Sequence, residues 1–96
     1  MTTYATIIVS GPDNASAVFY VDREGYPSYI VPLLRDIAKD TKNVWEFIGK
    51  LVVELGDAEM LILQPPAWGD YEYFVDYTEG KISYEEDEKT IVIPLK

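Results

Sequence analysis

The sequence contains no cysteine and no histidine, and only eight of its residues are lysine or arginine. Without cysteine there can be no disulfide and no thiolate chemistry, which leaves the redox compartment open with a lean toward the cytosol. Without histidine the commonest general base and metal ligand is missing, so triads and ordinary zinc sites are excluded. The shortage of basic residues disfavours direct binding of DNA or RNA, which needs lysine and arginine to displace counterions. Anionic membrane surfaces are disfavoured for the same reason. No apolar run approaches the ~20 residues of a membrane span, and the N-terminus has no basic region of the signal-peptide kind. The expectation is a soluble, cytoplasmic protein.

What is present is an acidic, aromatic, apolar-rich chain. Ninety-six residues suit one domain, and 48% hydrophobic with 14% aromatic residues supply one core. The net charge of −9 is unevenly placed. Residues 1–50 hold six acids and five bases, a balance of −1, whereas residues 51–96 hold eleven acids and three bases, a balance of −8. Such a half either keeps a small protein in solution or meets basic partners.

Residues 4–10 (YATIIVS) are β-branched and aromatic and predict a strand; 11–14 (GPDN) predict a turn; 17–21 return as a second strand. From Ser28, a candidate N-cap, Ile30, Val31, Leu34 and Ile37 recur at helical spacing. Pro32 forfeits one backbone bond near the start of that helix. Asn43 is a plausible N-cap for a second helix, with Glu46 in its first turn and paired with Lys50. Its buried face is Val44, Phe47, Ile48, Leu51 and Val52, continued by Leu55, while Trp45 and Val53 widen the apolar arc toward a deeper burial or a partner.

Residues 57–63 suit either a helical turn or a strand. Residues 70–78 alternate, with Tyr71, Tyr73, Val75 and Tyr77 on one face and Glu72, Phe74, Asp76 and Thr78 on the other. Residues 81–86 and 90–95 predict two more strands, the last ended by Pro94 or lying at an edge. The expected architecture is a single α+β domain over 1–96 of order ββ-αα-βββ. Its sheet is mostly antiparallel, with five strands and both helices packed on one face.

The chain turns from strand to helix at Tyr20-Val21-Asp22-Arg23-Glu24-Gly25-Tyr26-Pro27. Gly25 is expected to supply a positive φ there, and Pro27 a φ suited to starting a helix. This segment resembles the Tyr-x-His-x-Asp-Gly-Tyr-Pro motif of small, uncharacterised proteins of tailed bacteriophages. Those proteins return after a second helix to Gly-Asp-x-Glu-Tyr-x-Tyr, and here residues 69–75 read Gly-Asp-Tyr-Glu-Tyr-Phe-Val. The resemblance covers roughly 4–86 and departs where His becomes Asp22 and Asp becomes Glu24. It implies a phage or prophage origin and an accessory role in the host cytoplasm, and it brings no catalytic residues.

Among the residues that could carry chemistry, Asp22 and Glu24 share a strand parity and could divide acid and base work, but Arg23 separates them on a turn. Asp70, Glu72, Asp76 and Glu79 could offer oxygens to a hard cation, although their spacing fits no EF-hand loop. No nucleophile–base pair or glycine-rich phosphate loop is visible, so the expectation is no enzyme and no cofactor. The run Glu85-Glu86-Asp87-Glu88 reads either as a solvated loop or as an imitation of nucleic-acid phosphates. The second reading makes the protein an inhibitor of a host nuclease or nucleic-acid-binding complex. A basic host protein would be engaged by Trp68, Asp70, Glu72, Phe74, Asp76, Glu85, Glu86, Asp87 and Glu88. One alternative is a nucleotide or small-molecule sponge, with a pocket drawn from Tyr20, Asp22, Glu24, Tyr26, Trp68 and Tyr73. Another is an assembly protein forming a homodimer through edge strands.

Overall fold

The computed structural model describes residues 3–12, 16–21, 25–55, 59–61 and 70–96, with the backbone alone for 59–61. The elements run β1 (Ala5–Ser10), β2 (Ser16–Val21), α1 (Pro27–Lys39), α2 (Val44–Leu55), β3 (Glu59–Leu61), β4 (Tyr71–Asp76), β5 (Lys81–Glu86) and β6 (Lys89–Pro94). The α+β class and the order of its elements are those the sequence predicts. The short β3 settles residues 59–61 as a strand and adds a sixth to the expected five, giving the order β3-β2-β1-β4-β5-β6. All neighbours are antiparallel except β1 and β4 at the centre, which are parallel. Pro94, unable to donate to a ladder, ends the edge strand β6. Among the described residues, no helix is long and apolar enough to cross a membrane.

Strict alternation gives the sheet two unlike faces. Ala5, Ile7 and Val9 of β1 stand in register with Val21, Phe19 and Ala17 of β2, and with Tyr71, Tyr73 and Val75 of β4. Onto this face both helices pack Ile30, Val31, Leu34, Ile37, Ala38, Val44, Phe47 and Leu51, and with Ile82, Tyr84 and Leu95 they form one core. The face of β4 that carries Tyr71, Tyr73 and Val75 is therefore the core face. Tyr73 is fully buried, Tyr84 nearly so, and Tyr77 packs its ring 5.6 Å from Phe47. Two expectations for α2 change. Val52 is 45% exposed rather than buried, and the helix is not the more deeply buried one, since Trp45 and Val53 also face outward.

The helix ends follow local chemistry. Asn43 Oδ1 accepts the Glu46 amide at 3.0 Å, so Asn43 is the N-cap the sequence predicts, and Glu46 Oε1 accepts the Lys42 amide at 2.9 Å, a reciprocal bond beyond that expectation. The Glu46 carboxylate thus turns back along the chain to the Lys42 amide. Helix α1 starts earlier than expected: Tyr26 is the N-cap, Pro27 fills the first turn, and Ser28 lies inside. Pro32 then stands one turn further in, where it leaves the Ser28 carbonyl without its helical donor. At the other end, buried Thr41 donates to the Ala38 carbonyl at 3.1 Å and meets Tyr77 Oη at 3.2 Å. Lys96 Nζ reaches the Thr41 carbonyl at 3.2 Å, tying the chain's end to the α1–α2 link.

The largest correction concerns Gly25, whose φ is not in the left-handed region. Glycine stands there for space. A Cβ would lie 2.7 Å from Ala5 Cβ, 2.9 Å from the Tyr4 carbonyl carbon and 3.0 Å from the Thr3 carbonyl oxygen. The close approach lets the Gly25 amide donate to the Thr3 carbonyl at 3.0 Å, and Tyr73 Oη donate to the Gly25 carbonyl at 2.6 Å.

Gly25→Ala should accordingly cost roughly 1–3 kcal/mol by overpacking against backbone that cannot yield. A denaturant midpoint equal to that of the parent would show that the joint relaxes. Leu51→Ala should cost about 2–5 kcal/mol, whereas Val52→Ala, one residue along the same helix, should stay within about 0.5 kcal/mol. Equal losses in parallel melts would mean that the two faces of α2 are assigned wrongly.

Candidate functional site

On the face without helices, residues of the opposite parity come together. Thr6 stands in register with Tyr20 and Glu72, and Ile8 with Val18 and Phe74. Phe74 pairs with Ser83, and Ser83 with Val92. The result is a row of Val18, Ile8, Phe74, Ser83 and Val92 across five strands, with Phe74 46% and Val92 57% exposed. A sheet face that must meet water seldom keeps such a row without use.

Beside that row the sheet opens. The ladder between β4 and β5 runs only from Phe74↔Ser83 to Asp76↔Lys81, while β5 and β6 stay paired out to Glu86↔Lys89. Beyond Phe74 and Ser83 there is a cleft of about 520 Å³, lined by Asp70, Glu72, Phe74, Ser83, Glu85 and Thr90 among others. On the core side, the Tyr73 and Tyr84 rings meet at 5.4 Å and Tyr71 stacks on Tyr73 at 6.0 Å. A second groove of about 410 Å³ continues past Asp70 and Glu85 to Glu86, Asp87 and Tyr26. Among the described residues, no lysine or arginine lines either one.

The carboxylates differ in employment. Asp70 Oδ2 accepts the Tyr4 amide at 2.9 Å while the Asp70 amide donates to the Tyr4 carbonyl at 3.1 Å, so this residue fixes the start of β4 beside β1. Asp76 lies at the far end of β4, where its Oδ1 accepts the Glu79 amide at 3.0 Å and forms the β4–β5 turn with Gly80 at φ 70°. It stands apart from Asp70, Glu72 and Glu85. Tyr71 Oη donates to Glu86 Oε2 at 3.4 Å, and Glu72, Glu85, Asp87 and Glu88 are exposed. Among the described residues, no group of three or more carboxylates is arranged to hold a metal ion, so the cation reading of Asp70, Glu72, Asp76 and Glu79 finds no geometry.

The acidic run is a tight hairpin. Glu86 pairs with Lys89, so Asp87 and Glu88 alone make the turn, with φ of 52° and 65°. A two-residue loop of this hand favours Asn-Gly, because left-handed backbone costs an ordinary side chain roughly 1–2 kcal/mol. Two carboxylates stand there instead.

Among the described residues, Tyr20 and Tyr73 of the expected pocket are not brought together. Tyr20 lies on the helix-free face, with its ring 5.9 Å from that of Tyr4, whereas Tyr73 points into the core on the other face. Tyr26 is exposed at 47%, its ring 6.4 Å from that of Tyr71. Asp22, Glu24 and Trp68 lie outside the described residues. Ser83, Thr90 and Tyr4 are the site neighbours that the sequence reading passed over. Alternation could have found Ser83, which sits between inward Ile82 and Tyr84 and so shares the face of Phe74.

Burial raises the pKa of Tyr73 first and most, with Tyr71, Tyr84 and Glu86 adding to it. Tyr71 and Tyr84 are also raised, by burial and then by the negative charge of Glu86. A phenol whose pKa is higher folded than unfolded stabilises the fold fully below its unfolded value, and that contribution is lost as pH rises through the folded value. Stability should therefore fall as pH climbs above about 10, where unfolded tyrosine ionises. Tyr73→Phe should be less stable at neutral pH, having lost the bond to Gly25, yet decline less steeply in alkali. Melts from neutral to alkaline pH check both slopes, and identical slopes would remove Tyr73 from this role.

No protein-family model, curated protein or solved structure matches the chain.

Proposed function

We propose that this protein is a non-enzymatic binding module that holds a basic protein partner against the helix-free face of its sheet. The observation that carries the reading is the convergence of Asp70 and Glu72 at the start of β4 with Glu85 near the end of β5 in one cleft beside exposed Phe74, with Glu86 and Asp87 lining the groove that continues from it. Exposed ion pairs add little by themselves, so Phe74 and its apolar row supply the anchor while the carboxylates steer and orient. The left-handed Asp87-Glu88 turn supports the same reading, since acid is kept where neutral Asn-Gly would fold better.

Small size, a net charge of −9 and the likeness to tailed-phage proteins favour one form of this function. In it the protein inhibits a host nuclease or nucleic-acid-binding complex in the host cytoplasm. Its carboxylates occupy the positions of phosphates in a groove lined by lysine and arginine.

The test separates charge from folding. Asp87→Asn with Glu88→Gly removes two charges and should stabilise the hairpin. Proteins retained from a bacterial lysate by the parent are identified, and each purified partner is titrated against both forms across a range of salt. The variant should melt higher yet bind at least about tenfold more weakly, roughly 1.4 kcal/mol, with a flatter salt dependence. Phe74→Ala should instead speed dissociation. Unchanged affinity and salt slope would reduce the acidic run to a solvated loop, and failure of DNA to compete would remove the mimicry.

A further inference from the structure

The ladder between β4 and β5 ends at Phe74 and Ser83, although both strands run on. Continued in the same register, it would set Tyr73 opposite Tyr84 and Glu72 opposite Glu85, with Asp70 and Asp87 beyond them. Like charges directly opposite on a sheet destabilise the pairing, so the two glutamates give the ladder a reason to stop there. Thr6 and Thr90 flank them as the register neighbours of Glu72 and Glu85.

Main-chain direction is equally defined. The polar groups of a strand residue point to one side, and that side alternates along the chain. Tyr71 and Tyr77 donate their amides to the Tyr4 and Ser10 carbonyls on the β1 side, so Glu72 presents its N–H and C=O toward β5. The Asp87-Glu88 turn makes Glu86 and Lys89 its hydrogen-bonded closing pair, so Glu85 presents its own toward β4. These two main-chain edges face each other across the cleft of about 520 Å³ with no ladder joining them. On the core side the cleft has a floor: the Tyr73 and Tyr84 rings, 5.4 Å apart, and Tyr71 Oη donating to Glu86 Oε2.

We propose that an extended basic segment of the partner enters this cleft as an added strand, with Arg or Lys at every second position and small residues between. The inference rests on the reading of this face as the seat of a basic partner, and it names the part of that partner which is held. Main-chain bonds to Glu72 and Glu85 supply affinity, and alternate side chains supply selectivity. A residue in register with both glutamates points its side chain out of the helix-free face, between two carboxylates, which selects a cation. Its neighbours point down onto the tyrosine rings, where only Gly, Ala or Ser has room. Two positions along, a second basic side chain reaches the groove lined by Asp70, Glu85 and Asp87. Arginine suits the first seat better than lysine, because its planar fork meets carboxylates and stacks on an aromatic face such as that of exposed Phe74.

The probe is the end-blocked peptide Gly-Arg-Gly-Arg-Gly, titrated calorimetrically against the whole chain. It should bind with a Kd below about 1 mM and slow hydrogen exchange at the Glu72 and Glu85 amides. Gly-Gly-Arg-Arg-Gly, equal in charge, should bind at least about tenfold more weakly, and so should the alternating peptide methylated on its amide nitrogens. Glu72→Thr with Glu85→Thr should let the ladder close, so that the variant melts higher, protects both amides without peptide and no longer binds the probe. Equal binding of all these peptides would overturn strand addition while leaving charge attraction, and with it the proposed function, intact. Failure of the probe to bind at about 1 mM, in a chain that still holds a partner through Phe74 and the acidic run, would overturn it too. If neither the probe nor a partner of salt-dependent affinity is held, both readings fall.

Discussion

The arrangement depends on one close backbone contact. At Gly25 the chain leaves the β2–α1 connection pressed against residues 3–5, near enough that no side chain fits between. Its amide bonds to Thr3, and its carbonyl takes the hydroxyl of Tyr73, the largest fully buried side chain. Three elements distant in sequence are pinned there: the start of β1, the start of α1 and the middle of β4. A buried phenol needs a partner for its hydroxyl, and a glycine carbonyl brought in at short range supplies one.

With Tyr73 held inward, parity fixes the rest of β4. Glu72 and Phe74 must face away from the helices, and Tyr71 and Tyr84 gather around the Tyr73 ring. The ladder between β4 and β5 stops at Phe74 and Ser83, and the cleft follows. Stability and the candidate site are thus coupled. The same aromatic cluster that fills the core lies beneath the gap into which the carboxylates look.

Two exposed surfaces of different chemistry lie on opposite sides of the sheet. The helix-free face sets an acidic rim beside an apolar row and suits a basic partner. The outer face of α2 is apolar, with Trp45, Val52 and Val53 exposed.

By itself the sequence determined the elements and the face each residue would take, because these rest on local spacing. Period two in 71–76 put Tyr73 and Val75 inside, and period 3.6 put Leu34 and Leu51 there too. The Asn43–Glu46 cap and the turn at Gly80 were equally local. Other features needed the tertiary structure. Val52 was expected in the core, but a helix lying on a sheet has only one side to bury, and residue order cannot say where its arc ends. Gly25 was assigned to backbone freedom, when the reason is a strand more than fifteen residues earlier in the chain lying against it. The carboxylates of 70–72 and 85–88 were visible as two separate groups. Only the antiparallel return of β5 alongside β4 brought Asp70, Glu72 and Glu85 to one cleft, with Glu86 and Asp87 on the groove beyond it, and took Asp76 to the far end.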